Sequence, residues 1–162
     1  MNSYWVCDTC GEKILSSEDG LLEWYLAADE KGVLRRGNLR LVHGLAASPL
    51  KRLNLKRNGC EFDVRRGYIR SEGDVDSRPL REFLGPDGLV RLLSLLSGGE
   101  FSVDEVVKMI QRLHVPGFEM AREFFRAATY AGILEPDSGD GHCNQRDIEA
   151  ALKWQEGRKA VA

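Results

Sequence analysis

The sequence contains no long hydrophobic run and no common hydrolase or nucleotide-binding motif. No stretch of its 162 residues approaches the roughly 18 consecutive apolar residues that a membrane-spanning helix needs. A glycine-rich phosphate loop, a Ser-His-Asp pattern and a His-Glu-x-x-His pair are also missing. These absences argue against a membrane-spanning protein, a nucleotide-binding enzyme and a metalloprotease, and they favour a protein that is not an enzyme.

Cysteine and histidine are scarce, with four cysteines and three histidines in the chain. The N-terminal residues Met1–Trp5 contain neither a basic start nor an apolar run, so we expect no secretory signal. Cysteines in a protein without such a signal meet a reducing compartment, where metal binding is more common than disulfide formation. We therefore expect a cytoplasmic protein whose cysteines bind a metal.

The character of the chain changes near residue 70. Before that point, Leu21–Leu26 and Leu39–Val42 are short apolar runs typical of strands. Lys31–Gly32 and Arg36–Asn38 are typical of the turns around them. We predict an α+β protein made of a β-rich unit over 1–70, a polar linker over 71–79 and a helical unit over 80–162.

Helical periodicity dominates the second half of the sequence. The clearest helix starts at a capping box, in which Ser102 caps the helix and Glu105 reaches back. Its apolar residues recur at helical spacing from Val106 to Leu113. The other predicted elements are a short turn over 80–84, helices over 86–98, 118–130 and 147–159, and a short strand at 133–134.

A candidate metal site begins at Cys7 and Cys10, which stand two residues apart and are followed by Gly11. This spacing turns the chain back sharply, so that two thiolates face one ion, and glycine tolerates the backbone conformation that the turn needs. Structural zinc takes four ligands, which are usually cysteine or histidine. Within the β-rich unit, His43 ends an apolar run and Cys60 follows a turn dipeptide. The sequence therefore predicts a structural Zn²⁺ site of Cys7, Cys10, His43 and Cys60.

Other roles remain open for the cysteines and histidines of the chain. The adjacent residues His142 and Cys143 lie in a glycine-rich segment that could fold back to the metal. A thioredoxin-like redox pair would need a long helix after its second cysteine, and residues 12–20 offer none. His114 stands at the end of a predicted helix, where a capping or core-edge role is the simpler interpretation.

The run Cys7-Asp8-Thr9-Cys10-Gly11 resembles the knuckle of zinc-ribbon and treble-clef modules over about the first 65 residues. That resemblance implies a structural zinc ion held between β-hairpins. In those families the remaining ligands form a second knuckle, whereas here they are split between His43 and Cys60. The pattern as a whole is also similar to proteins found in bacteria, which implies no particular activity.

His43, Asn54 and Cys60 are loosely similar to the histidine–asparagine–histidine nucleases, whose fold also surrounds a zinc knuckle. That resemblance implies a general-base histidine and a later residue that holds a catalytic magnesium ion. No histidine follows Asn54 until His114, and a zinc-bound His43 could not act as a base. A metal-dependent nuclease is therefore the least favoured interpretation.

Positive charge is concentrated between residues 31 and 70, which we call the basic segment. It contains eleven basic and two acidic residues, a formal charge of +9 in a chain whose total is -2. Such clusters suit phosphates, although acidic residues elsewhere could also balance them. We predict a zinc-binding, DNA-binding or otherwise nucleic-acid-associated protein, and the alternative is a protein-interaction or adaptor module with an acidic partner. The candidate nucleic-acid contacts are Arg35, Arg36, Arg40, Lys51, Arg52, Lys56, Arg57, Arg65 and Arg66.

The order of the predicted helices over about 88–144 resembles a winged helix-turn-helix. In that family the third helix enters the major groove and a hairpin follows it. The third predicted helix carries Glu119, Arg122, Glu123 and Arg126, a balanced set of charges. The segment after it is acidic, so a winged helix here would suit a protein partner as well as DNA.

Overall fold

The computed structural model describes residues 4–28, 30–50, 59–61, 74–135 and 144–159. The chain divides into two compact units, Tyr4–His114 and Val115–Ala162. The described residues of the first unit form two antiparallel sheets and two α-helices, and those of the second form three α-helices. This confirms the predicted α+β class. No helix in the described ranges has the length and apolar character needed to cross a bilayer.

Five strands make up the two sheets. β1 (Trp5–Val6) and β2 (Lys13–Ile14) pair as a short hairpin. In the second sheet, β3 (Gly20–Ala28) lies between β4 (Leu34–His43) and β5 (Asp74–Pro79) and is antiparallel to both. The apolar runs that predicted strands in the β-rich half therefore lie within β3 and β4.

A β-bulge stands where the sequence predicts a turn. Arg36–Asn38 lie inside β4, and the pairing with β3 shifts register between Glu23 and Tyr25. Asn38 has a φ of 54°, in the left-handed region that asparagine tolerates better than most residues. The turn prediction was wrong because a bulge and a turn use the same residue types for the same backbone conformation.

Strand β5 lies in the segment that the sequence predicts as a linker. Its exposed positions carry Asp74, Asp76 and Arg78, and they alternate with partly buried Val75 and Ser77. This period of two matches a strand with one solvent-facing side. Residues 74–79 therefore belong to the sheet, whereas 71–73 lie outside the described residues.

The outer edge of β4, on the side away from β3, is bound by side chains from other elements. The backbone N–H of Leu39 donates to Glu105 Oε1 at 3.2 Å. The N–H of Leu41 donates to Asp8 Oδ2 at 2.8 Å, and the C=O of Leu41 accepts the N–H of Asp8 at 2.8 Å. Carboxylates thus satisfy backbone donors that a further strand would otherwise satisfy.

Two helices complete the first unit. The predicted short turn is a 3₁₀ helix over Leu80–Phe83, and it leads into α1 (Gly85–Gly98) and then α2 (Val103–His114). Gly99 ends α1 with a φ of 66°, as the glycine pair at this position predicts.

The predicted capping box at the start of α2 is present. Ser102 Oγ accepts the N–H of Glu105 at 3.3 Å, and Glu105 Oε2 accepts the N–H of Ser102 at 3.3 Å. The helix buries Val106 and Met109 as its spacing predicts. Trp24 and Phe101 meet edge to face, with ring centroids 5.9 Å apart. The core of this unit also contains Ile14, Leu22, Leu41, Val42, Leu80, Phe83 and Leu92.

The second unit contains α3 (Phe118–Ala121), α4 (Phe125–Tyr130) and α5 (Gln145–Lys159). The single helix predicted over 118–130 is wrong, because residues 122–124 form a turn in which the Phe124 N–H donates to the Ala121 C=O at 2.8 Å. The strand predicted at 133–134 is also wrong, since those residues form a bend. The buried core consists of Phe118, Ala121, Ala128, Leu134, Ile148 and Ala151.

Candidate metal centre

The cysteine knuckle occupies the β1–β2 hairpin. The N–H of Cys7 donates to the C=O of Glu12 at 3.0 Å, and the N–H of Gly11 donates to the C=O of Cys7 at 2.9 Å. Gly11 has a φ of 77°, which a residue with a Cβ atom adopts only with strain. The paired strands and this glycine turn the chain back, so that Cys7 and Cys10 contribute sulfurs to one cluster.

His43 reaches the same place from the end of β4. Its Nδ1 lies 3.5 Å from Cys10 Sγ, and its Nε2 lies 3.2 Å from the C=O of Lys13. A carbonyl oxygen can only accept a hydrogen bond, so Nε2 carries the proton in this arrangement. In the neutral ring, Nδ1 is then left with its lone pair, 3.5 Å from Cys10 Sγ, which is the tautomer that a metal ligand needs.

Cys60 is fully buried and is fixed through both its backbone and its side chain. Thr9 Oγ1, from the knuckle, donates to the C=O of Cys60 at 2.7 Å. The N–H of Cys60 donates to Ser48 Oγ at 3.0 Å, and Cys60 Sγ lies 3.1 Å from the same hydroxyl oxygen. Residues far apart in the sequence therefore bring the third sulfur to the cluster.

The four candidate ligand atoms lie close enough together to share one ion. The sulfurs of Cys7, Cys10 and Cys60 and a ring nitrogen of His43 all lie within 4.8 Å of one another. In a tetrahedral site with metal–sulfur bonds of about 2.3 Å, neighbouring sulfurs are about 3.8 Å apart. Small side-chain adjustments would bring the atoms to that spacing. These residues could hold a metal ion with four protein ligands.

The three thiols differ in how readily each loses its proton. The Cys60 thiol donates to the Cys7 sulfur, and backbone N–H groups of Cys10, His43 and Thr9 add to this, so the pKa of Cys7 is lowered to about 4 despite burial. The same contact with Cys7 raises the pKa of Cys60. Burial raises the pKa of Cys10. Without a metal, the cluster therefore favours one thiolate, at Cys7, and two thiols.

Helix α2 is tied to the knuckle through a buried arginine. Arg112 Nη1 donates to Asp8 Oδ2 at 2.7 Å, and Arg112 Nη2 donates to the C=O of Val6 at 2.8 Å. Asp8 lies between the two knuckle cysteines and also accepts the N–H of Leu41. The arrangement links α2, β1 and β4 next to the candidate metal ligands.

The structure brings together the four residues that the sequence predicts as metal ligands. His114 is not in the cluster, since its Nε2 lies 2.9 Å from the C=O of Phe83, which agrees with a core-edge role. The competing pair, His142 and Cys143, lies outside the described residues.

Three candidate nucleic-acid contacts lie on β4. Arg35 is exposed. Arg36 forms an ion pair with Glu100 at 3.0 Å and lies over the ring of Trp24. Arg40 is buried, and its Nε donates to Glu23 Oε1 at 2.8 Å, so its charge is balanced inside the fold. The remaining candidates lie outside the described residues: Lys51, Arg52, Lys56, Arg57, Arg65 and Arg66.

Two residues near the candidate metal centre were not predicted from the sequence. Ser48 is 12 positions from Cys60, and Arg112 is 104 positions from Asp8. Neither lies in a motif, and serine and arginine are usually found on the surface. Arg112 is a single basic residue near the C-terminus of a helix, which is a favourable place for any arginine, so its position did not indicate a contact with the knuckle.

Comparisons of the chain with protein-family models, with curated protein sequences and with solved structures found no match.

Proposed function

We propose that this protein binds one structural Zn²⁺ ion through Cys7, Cys10, His43 and Cys60. The observation that carries the proposal is the approach of their four ligand atoms to within 4.8 Å of one another. Thiolate and imidazole donors in a tetrahedral arrangement are typical of zinc. Three thiolates also need reducing surroundings, which supports a cytoplasmic protein.

The proposed ion is structural because the protein fills its coordination sphere. A catalytic zinc ion keeps one position for water or substrate, and four protein ligands leave none. The ion would join the β1–β2 hairpin, the end of β4 and the segment around Cys60. This is the role of zinc in zinc-ribbon and treble-clef modules, and it leaves His43 unable to serve as the base of a nuclease.

Metal content of matched cysteine variants tests the zinc proposal. We expect one zinc ion per chain in the wild-type protein and in the Cys143→Ser control. Cys60→Ser should lose most of its zinc and unfold at a lower temperature, because three ligands hold the ion far less tightly. Retention of zinc by Cys60→Ser together with its loss from Cys143→Ser would assign the fourth ligand to the C-terminal segment.

We further propose that the basic segment contacts the phosphates of nucleic acids. The support is its formal charge of +9 in a chain of net charge -2. Basic side chains that neutralise phosphates release counterions, and this supplies most of non-specific nucleic-acid affinity. Arg40 is excluded from the contact surface because it pairs with Glu23 in the core. The proposal therefore rests on exposed Arg35 and on those residues of the basic segment that follow Leu50.

Salt titration of binding tests this contact. The affinity for random duplex or single-stranded nucleic acid should fall steeply as salt rises. The double variant Lys56→Glu/Arg57→Glu should abolish binding while leaving the zinc content unchanged. Arg146→Glu/Lys153→Glu makes the same charge change at exposed positions of α5 and should bind like the wild type. Absence of binding at low salt would overturn the nucleic-acid proposal and leave an adaptor with an acidic protein partner.

A further inference from the structure

Ser48 makes three hydrogen bonds around Cys60, and their directions can be assigned. Its hydroxyl oxygen accepts the N–H of Leu50 at 3.2 Å and the N–H of Cys60 at 3.0 Å. A serine oxygen has two lone pairs and one hydrogen. Both lone pairs are therefore engaged, and only the hydroxyl hydrogen remains for the Cys60 sulfur, 3.1 Å away.

The surroundings of Ser48 restrict it to this role. The side chain is buried, with 4% of its surface exposed, so it has little access to solvent. Among the residues that the structure describes, Cys60 Sγ is the acceptor within reach of its hydroxyl hydrogen. Satisfying the N–H of Cys60 also fixes the backbone that presents the sulfur.

We propose that Ser48 is a positioning residue of the metal centre, which holds Cys60 in place and donates an O–H···S hydrogen bond to its metal-bound thiolate. This inference rests on the proposed zinc site. The bond draws charge from the sulfur, so the thiolate is stabilised against protonation and becomes a poorer nucleophile. Polar groups that orient metal ligands in this way commonly contribute 10- to 100-fold in metal affinity.

The three sulfurs then receive their hydrogen bonds from different sources. The Cys60 thiol and the backbone N–H groups of Cys10, His43 and Thr9 lower the pKa of Cys7, whereas burial raises the pKa of Cys10 against the effect of the Glu12 N–H. Within the described part of the chain, Cys60 is the cysteine whose sulfur lies against a side-chain hydroxyl, that of Ser48. A substitution at Ser48 therefore alters one metal–sulfur bond without changing the knuckle.

Competition with a chelator and Co²⁺ spectroscopy test the proposal in the full-length protein. Ser48→Ala should bind Zn²⁺ about 10- to 100-fold more weakly than the wild type. Its Co²⁺ form should show the sulfur-to-cobalt charge-transfer band at lower energy, because a thiolate without its hydrogen bond is richer in electrons. Ser94→Ala removes a hydroxyl that donates to the C=O of Val90 within α1, and it should match the wild type in both measurements.

An isosteric pair separates sulfur donation from a purely structural effect. Ser48→Thr keeps the hydroxyl and should retain the wild-type band, whereas Ser48→Val has nearly the same shape without it and should show the shift. An unshifted band in Ser48→Val would overturn the proposal while the zinc site stands. A wild-type protein that binds no zinc would instead overturn the metal site itself.

Discussion

The two compact units differ in what fills their interiors. The unit Tyr4–His114 surrounds three thiols and a histidine with apolar side chains, and it also buries the ion pair of Arg40 with Glu23. The unit Val115–Ala162 has a smaller apolar core around Phe118 and Ile148. One unit thus combines packing with ligand chemistry, and the other relies on the packing of helices.

This contrast teaches which interactions each unit needs in order to fold. Buried polar groups are costly unless each one has a partner, and a cation between the three sulfurs and the imidazole would give all four groups a partner at once. Stability of the first unit should therefore follow the metal. Stability of the second should follow the volume of its apolar side chains.

Metal removal should produce the largest difference between the units. Structural zinc contributes about 10 to 16 kcal/mol in small zinc modules, which is as much as the whole stability of a typical domain. A chelator should therefore abolish amide-exchange protection in Tyr4–His114 and leave that of Val115–Ala162 largely intact. Hydrogen exchange read by mass spectrometry measures both units in one sample. Equal loss of protection in both units would show that the metal does not stabilise the first unit selectively.

Ile148→Ala makes the opposite test. Ile148 is fully buried, and removing its side chain leaves a cavity that should cost about 2 to 5 kcal/mol of unfolding free energy. The loss should appear in exchange from Val115–Ala162, and the zinc content should not change. Glu149→Ala, at the exposed neighbouring position, serves as the control and should change stability by less than about 0.5 kcal/mol.

Arg112→Met should give a smaller effect, confined to the first unit. The substitution keeps the length of the side chain and removes its hydrogen bonds to Asp8 and Val6. Hydrogen bonds of charged groups contribute about 1.5 to 3 kcal/mol each, and the free energy of unfolding should fall by about that amount. Arg91→Met breaks the more exposed pair with Glu82 and should cost less than about 1 kcal/mol. If urea unfolding gave equal losses of unfolding free energy for the two variants, the buried contact of Arg112 with Asp8 would contribute no more than an exposed ion pair.

The smallest predicted effect concerns the protons that the three cysteines release when zinc binds at pH 7. The pKa of Cys7 is lowered to about 4, so this residue has already lost its proton. The pKa values of Cys10 and Cys60 are raised, so both still hold theirs. Binding should therefore release about two protons per ion. The affinity for zinc should decrease as the pH decreases, because protons compete with the ion for the sulfurs. Calorimetry in buffers of different ionisation enthalpy counts them, and a count of three would show that all thiols start protonated.

The clustering of the four candidate ligands could be predicted because its signals are local. The knuckle spacing requires a sharp turn, and His43 and Cys60 end or begin short segments of the same half of the chain. The capping box of α2 and the glycine end of α1 are local in the same sense, and both were confirmed. Short-range geometry and residue type determine such features with little help from the rest of the fold.

The contacts that hold the ligands could not be predicted. Arg40 looked like a surface charge until its partner Glu23 was placed beside it by the pairing of β3 with β4. Ser48 and Arg112 act across 12 and 104 positions, and their residue types say nothing about where they point. Residues 118–130 contain neither glycine nor proline, so nothing in the sequence indicated the break between α3 and α4.

Asp8 gives the outer edge of β4 one more property, which concerns solubility. The N–H and C=O of Leu41 are both occupied by Asp8, whose position depends on the knuckle around it. Loss of the metal would release this pair and expose a strand edge with apolar neighbours, which is the kind of surface that recruits other chains. Among the described strands the other edge strand is β5, which carries Asp74, Asp76 and Pro79 and should resist such pairing whether or not the metal is bound. We therefore expect the metal-free protein to self-associate through β4, so that the ion protects against aggregation as well as maintaining the fold.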